Sequence, residues 1–188
     1  MTSWYKPPAF KPIKYIPRSE EITIRAKPVF ALHAVGHSKI PGPYAGERTN
    51  HWCVYLQTSA SEDDEYVCVN AVPNPQQAGT AILGGFKADV IVSLLHGAVD
   101  DATHKVEIPV AECLTVGLIV DLLAQAGRDR YEFIVEGVGC RRWTTDTLAL
   151  LAQQKWLVSS EAVALATADI LKLWPEGTLL AIDNGVYY

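Results

Sequence analysis

Residues 136–151 read EGVGCRRWTTDTLALL, and the fold turns on the change of period inside this stretch. Gly137 and Gly139 mark a loop. From Cys140 onward, Cys140, Trp143, Thr144, Thr147, Leu148 and Leu151 recur at i, i+3, i+4, i+7, i+8 and i+11, which is one face of a helix. Cys140 therefore heads the stripe that packs on the rest of the domain. Arg141 falls roughly 100° around from it, at the edge of the stripe, and Arg142 roughly 200° around, toward solvent.

Helices continue on the C-terminal side, around SSEAVALATADILKLWPEG, capped by Ser159 or Ser160 and stopped by Pro175 and Gly177. Another precedes the stretch in TVGLIVDLLAQAG, with Thr115 as N-cap and Gly127 past its end. Further upstream the period is two. EITIRAKPVFALHAV (21–35) reads as strand broken at Pro28, HWCVYLQ (51–57) and YVCVNAV (66–72) as the arms of a hairpin, and further strands are expected near 81–95 and 104–109. TLLAIDNGVYY reads as a closing strand. Strands first and helices second predict an α+β domain, an antiparallel β-sheet packed by about three helices.

Residues 1–20 form a proline-rich arm with prolines at 7, 8, 12 and 17, and the domain proper spans 21–188. Aromatic residues in the arm (Trp4, Tyr5, Phe10, Tyr15) predict that it docks on its own domain rather than extending free. The formal net charge is −5, from 16 Lys and Arg against 21 Asp and Glu, with no basic stripe along a helix, so a nucleic-acid partner is not expected. No apolar run reaches the ~20 residues of a membrane span, so no membrane insertion is expected. The N-terminus has no secretory apolar region, and Cys53, Cys68, Cys113 and Cys140 read as reduced thiols of a cytoplasmic protein. Neither the cysteines nor the five histidines show metal-site spacing, and no phosphate-binding loop is present, so neither metal nor cofactor is expected. SEDDE (61–65) reads as a solvated turn rather than a calcium loop.

A thiol at a helix N-terminus admits two readings. The free N–H groups of the first turn favour the thiolate and can donate to an oxyanion, yet a cysteine on a core-facing stripe is also a common packing residue. A nucleophile needs a base, and the hairpin offers one. With its turn centred between Ala60 and Ser61, His51 faces Asn70, Cys53 faces Cys68 and Tyr55 faces Tyr66, all on one side of the sheet. His51 as base, Asn70 as its orienting amide and Cys140 as nucleophile make a thiol-catalytic set. Cys53 and Cys68 read as packed neighbours.

The order of strand histidine, polar residue on the neighbouring strand and cysteine opening a later helix resembles the circularly permuted papain-like fold of the lecithin:retinol acyltransferase-like proteins, over residues 45–155. Where that group carries an Asn-Cys-Glu-His string, this chain has Gly139-Cys140-Arg141. The segments Asn50-His51-Trp52, Gly127-Arg128-Asp129-Arg130-Tyr131 and Gly139-Cys140-Arg141-Arg142-Trp143 resemble those of a family of uncharacterised fungal proteins. That resemblance implies a fungal source and a small stand-alone domain, of a kind that includes orphan proteins of secondary-metabolite pathways.

Three functions of different classes follow. The first is a cofactor-free cyclase or isomerase, pericyclic in the Diels–Alder sense, that folds a hydrophobic small-molecule substrate against Trp52, Tyr55, Tyr131 and Trp143. His51 or Arg141 would then polarise a carbonyl or carboxylate. The second is a hydrolase or acyltransferase working through Cys140, His51 and Asn70. The third is a binding or scaffold domain in which the Cys–His pair is structural. The first stands slightly ahead for biological role, the second for mechanism.

Overall fold

A computed structural model describes residues 10–42, 48–60, 65–97, 99 and 101–188. The first nine residues of the arm and positions 61–64 of the acidic turn lie outside the described residues. The elements run β1 (Ile13–Ile16), α1 (Glu21–Ala26), β2 (Ala31–Pro41), β3 (Arg48–Gln57), β4 (Glu65–Ala78), β5 (Phe86–His96), β6 (Ala102–Pro109), α2 (Val116–Gln125), β7 (Tyr131–Phe133), α3 (Cys140–Gln153), α4 (Ser160–Ile170), β8 (Lys172–Leu173), β9 (Thr178–Leu179) and β10 (Val186–Tyr187). The sheet is ordered β10-β7-β5-β4-β3-β2-β6. Its pairings are antiparallel, except that β1 runs parallel beside β5. The described residues are thus mixed α+β, a large antiparallel sheet with four α-helices.

The alternation of the long strands sorts their side chains into two layers. Leu32, Ala34, Trp52, Val54, Leu56, Val67, Val69, Val106 and Ile108 share one cluster with Ile24 of α1, Ile119 and Leu123 of α2, Trp143, Leu148 and Leu151 of α3, and Ala166 and Ile170 of α4. All four helices therefore cover the same face. Val35, Cys53, Tyr55, Tyr66 and Cys68 form a separate cluster on the opposite face. The caps lie where the sequence put them, with Thr115 accepting from Leu118 N and Ser159 from Ala162 N. Among the described residues no helix is long and apolar enough to cross a membrane.

Four expectations need correction. Glu21–Ala26 is a short helix rather than a strand. The absent side chain of Gly117 lets the Arg25 carbonyl come close to α2, where an added Cβ would lie 2.8 Å from that oxygen. The β3–β4 register pairs Tyr55 with Cys68 and Gln57 with Tyr66, a shift of two residues from the expected one. An even shift keeps every side chain on its face and moves its partner. The helix expected to run to Pro175 ends at Ile170, so Trp174 lies beyond α4, with its ring stacked on His104 at 3.6 Å. The expected closing strand is reduced to β9 and β10, because the carbonyls of Leu180 and Ala181 accept from a guanidinium instead of a strand.

Asp169, only 5% exposed, ties α4 to the sheet by accepting from His104 Nε2 and Lys172 Nζ, both at 2.8 Å. Burial alone would raise its pKa, but the hydrogen bonds from Lys172 and His104 outweigh it and hold the carboxyl below its ordinary value. A depressed folded pKa gives stability that is present above the unfolded value, near 4, and is lost as pH falls through the folded one. Asp169→Asn is expected to cost about 1.5–3 kcal/mol at pH 7. Its urea midpoint should converge on that of the wild type near pH 2, whereas an equal gap at both pH values would show that the carboxylate charge contributes nothing.

Candidate active site

The site lies where the sheet forks. β3 begins at Arg48 and β4 runs to Ala78, yet the two pair only over Val54–Gln57 and Tyr66–Val69. Beyond Val54 and Val69 the ladder stops, and the start of α3 packs against β3 there. The backbone of Trp52, left without a β4 partner, serves the helix on both counts. Its carbonyl accepts from Thr144 Oγ1 at 3.2 Å, and its N–H donates to the Cys140 sulfur.

Each motif contributes to this seat. Asn50, 1% exposed, donates to the carbonyls of His37 (2.8 Å) and Trp174 (3.1 Å) and accepts from Trp174 N (2.7 Å), which fixes the strand one residue before His51. Gly139 takes φ +153°, and a Cβ there would meet Tyr131 Oη at 3.0 Å and Phe133 at 3.1 Å, so the turn into α3 requires glycine. The Tyr131 hydroxyl donates to the Gly139 carbonyl at 2.9 Å, and Trp143 Nε1 donates to the Arg128 carbonyl at 2.8 Å. The three segments singled out in the sequence are thus bonded to one another around the first turn of α3.

Cys140 belongs to the helix-side core and is 3% exposed. His51 shares by alternation the face of Cys53 and Tyr55, and its hydrogen bonding and charge bear on the Cys140 thiol. His51 Nε2 lies 2.8 Å from Asn70 Oδ1, which leaves Nδ1 as the ring nitrogen for the thiol proton. Burial resists charge on both partners. The Cys140 thiol is nevertheless held below its ordinary pKa, because hydrogen bonding and charge from His51, the Trp52 N–H and the Arg141 charge outweigh desolvation. The His51 imidazole is raised, with desolvation overcome by Cys140 first, then by Asn70 and Cys68. The arrangement favours a thiolate–imidazolium pair. The N–H groups of Cys140, Arg141 and Arg142 have no acceptor within the helix, and Gly139 has no side chain to cap them.

The structure brings Cys140, His51 and Asn70 together. It places the residues nominated for substrate contact elsewhere. Trp52, Trp143 and Tyr131 are each 0% exposed and fill the core. Arg141 is not at the edge of the α3 stripe but 1% exposed, its guanidinium donating to the carbonyls of Ile170 (2.7 Å), Leu180 (2.7 Å) and Ala181 (2.6 Å). Buried, and with each of its three nitrogens donating to a backbone carbonyl, it is turned into the core rather than toward a substrate carboxylate. Tyr55 alone is on the His51 face, where its hydroxyl meets His37 Nε2 at 3.2 Å. Burial, with the Cys68 and Cys53 charges, raises its pKa and keeps it a proton donor.

Sequence reasoning missed His37, which touches both Tyr55 Oη and Cys53 Sγ (3.4 Å). Its period-two spacing from Val35 would have placed it on this face. Burial and the His51 charge hold its pKa down, so it is a neutral acceptor beside the site. Among the described residues, no three His, Cys, Asp or Glu side chains converge on a metal position. A cavity of about 640 Å³ lies between β1, α1 and α2, lined by Lys11, Lys14, Tyr15, Arg18 and Arg25 among others, and none of the nominated residues borders it.

A family model described as a domain of unknown function (DUF7770) matches residues 32–188, from early β2 to the last residue. No curated protein and no solved structure matches the chain.

Proposed function

We propose that this chain, which belongs to the DUF7770 family, is a thiol-dependent hydrolase or acyltransferase with Cys140 as nucleophile, His51 as base and Asn70 as orienting residue. The observation that carries the reading is the His51 Nε2–Asn70 Oδ1 hydrogen bond at 2.8 Å beside the cysteine that opens α3, whose thiol His51 helps hold below its ordinary pKa. We also propose that the order of β3 histidine, β4 asparagine and α3 cysteine is a circularly permuted papain-like arrangement.

In this reading the Cys140 thiolate attacks an ester, thioester or amide carbonyl. The oxyanion accepts from N–H groups of the first turn of α3. The His51 imidazolium gives its proton to the leaving oxygen, sulfur or nitrogen, and the acyl group stays on Cys140. His51 then takes a proton from water, or from an acceptor alcohol or amine, as that group displaces the acyl chain. Asn70 Oδ1 keeps the imidazole aimed. Substrate approaches past His51 and Asn70, both only partly buried.

p-Nitrophenyl acetate and octanoate test this proposal. Wild-type protein is expected to release nitrophenol and carry a trapped acyl group on Cys140, while Cys140→Ala loses both. Equal turnover by Cys140→Ala, or acyl label only on another residue, would overturn the reading.

The second proposal is the cyclase or isomerase of natural-product biosynthesis acting on an apolar small molecule. One observation favours it, the Tyr55 hydroxyl held as a proton donor beside His51 and His37. The full burial of Trp52, Trp143 and Tyr131 leaves it fewer aromatic walls than the sequence suggested.

A further inference from the structure

Cys53 and Cys68 lie on the face of the sheet opposite the helices, on neighbouring strands, with their sulfurs 3.8 Å apart. Neither is in a disulfide. Their surroundings differ in a way that matters for oxidation. Cys53, 1% exposed, has its sulfur 3.4 Å from His37 Nε2. Cys68, 7% exposed, has its thiol donating to the Cys53 sulfur at 3.8 Å and lies near enough to His51 to feel its charge. Hydrogen bonding with Cys53 outweighs burial and lowers the Cys68 thiol, while the same contact raises Cys53. Cys68 is the more exposed of the two and the one a peroxide reaches first, and Cys53 stands behind it as the resolving cysteine.

We propose that Cys53 and Cys68 are a redox-active pair that takes two oxidising equivalents from a peroxide and closes to a disulfide beside the Cys140 site. The Cys68 thiolate attacks one peroxide oxygen, the O–O bond breaks, and Cys68 becomes a sulfenic acid as the other oxygen leaves as hydroxide or alkoxide and takes up the proton that the Cys68 thiol had released. The Cys53 sulfur then attacks the sulfenic sulfur, the S–OH bond breaks, and its oxygen leaves as water with the Cys53 proton. Two thiols are oxidised by two electrons and one peroxide is reduced by two. The sulfurs must close from 3.8 Å to about 2.05 Å, which takes side-chain rotation and a movement of the two strands.

The disulfide would act on the neighbouring site. The Cys68 charge is one of the groups that keep the His51 imidazole raised. A disulfide carries no charge, so oxidation lowers the His51 pKa and with it weakens the hold on the Cys140 thiolate. This coupling rests on the Cys140–His51 chemistry proposed above, and the disulfide itself does not.

The test uses full-length Cys113→Ser protein, which removes the exposed thiol, treated with hydrogen peroxide. Trypsin leaves Cys53 and Cys68 on one peptide, residues 49–87, with Cys140 on another, 131–141. The expected result is loss of two hydrogens from peptide 49–87. Its two halves should stay joined after cleavage at Glu62 or Glu65 until reductant is added. The Cys140 that is still a thiol should react with iodoacetamide about threefold more slowly than in the reduced protein at the same pH. Persistence of two alkylatable thiols in 49–87, or a Cys68–Cys140 link in place of Cys53–Cys68, overturns the disulfide. If peroxide slows Cys140 labelling equally in Cys53→Ser protein, the coupling is overturned while the thiol-enzyme reading still stands.

Discussion

Replacing His51 with alanine is expected to slow iodoacetamide labelling of Cys140 at pH 7 by about tenfold and to move the half-maximal rate above the ordinary thiol value near 8.5–9. The sign follows from the balance at the sulfur. Burial is the largest single influence on Cys140 and raises its pKa. The hydrogen bond and charge of His51 are next, and with the Trp52 N–H and the Arg141 charge they reverse the direction. Without the imidazole, burial prevails. A higher pKa removes thiolate at pH 7 faster than the greater nucleophilicity of a more basic thiolate restores the rate, so the net effect is a loss. The wild-type profile should rise at the lowered Cys140 pKa, and the His51→Ala profile should rise once, at higher pH. Asn70→Ala should lie between them, since the amide supports the imidazole without touching the sulfur. Superimposable wild-type and His51→Ala profiles would remove the basis for thiol catalysis.

Much of the site was legible because local rules fix it. The period change at Cys140 marks the start of α3, glycine at 139 meets the positive φ, and alternation puts His51, Cys53 and Tyr55 on the same face whatever the register. The two-residue register shift went unseen because the turn residues Thr58–Glu65 contain no glycine or proline to pin a turn type. Its even size spared the site, since Asn70 still meets His51 although the paired residues changed. The short helix α1 was hidden for a different reason. Ile22 and Ile24 alternate as in a strand, yet Ile22 is 86% exposed and only Ile24 is buried, so contact with α2 decides the conformation. Arg141 was misplaced because its partners arrive about forty residues later in the chain, and no window around α3 contains them.

Those distant partners make Arg141→Ala the stability variant with the largest expected effect, a loss of about 2–4 kcal/mol. The guanidinium is the only side chain bonded to Ile170, Leu180 and Ala181 carbonyls among the described hydrogen bonds, and it joins the first turn of α3 to the end of α4 and to the C-terminal segment. The carbonyls of Leu180 and Ala181 sit in partly exposed residues and can recover water, whereas Ile170 is 0% exposed and its carbonyl is left without its donor. That difference sets the estimate below the sum of three lost bonds. Lysine at 141 keeps the charge but can reach fewer of the three acceptors, so Arg141→Lys should recover part of the loss. Urea denaturation measures the stability, and amide exchange over residues 178–188 locates it, with Gly185 and Tyr187 expected to lose protection first as their packing on Tyr131 loosens. Cys140 should titrate slightly higher in Arg141→Ala than in Arg141→Lys, because the guanidinium charge is among the influences that lower the thiol. An unchanged midpoint in Arg141→Ala would mean that the C-terminal segment is held by its own packing. The arginine behind the cysteine would then serve the thiol alone.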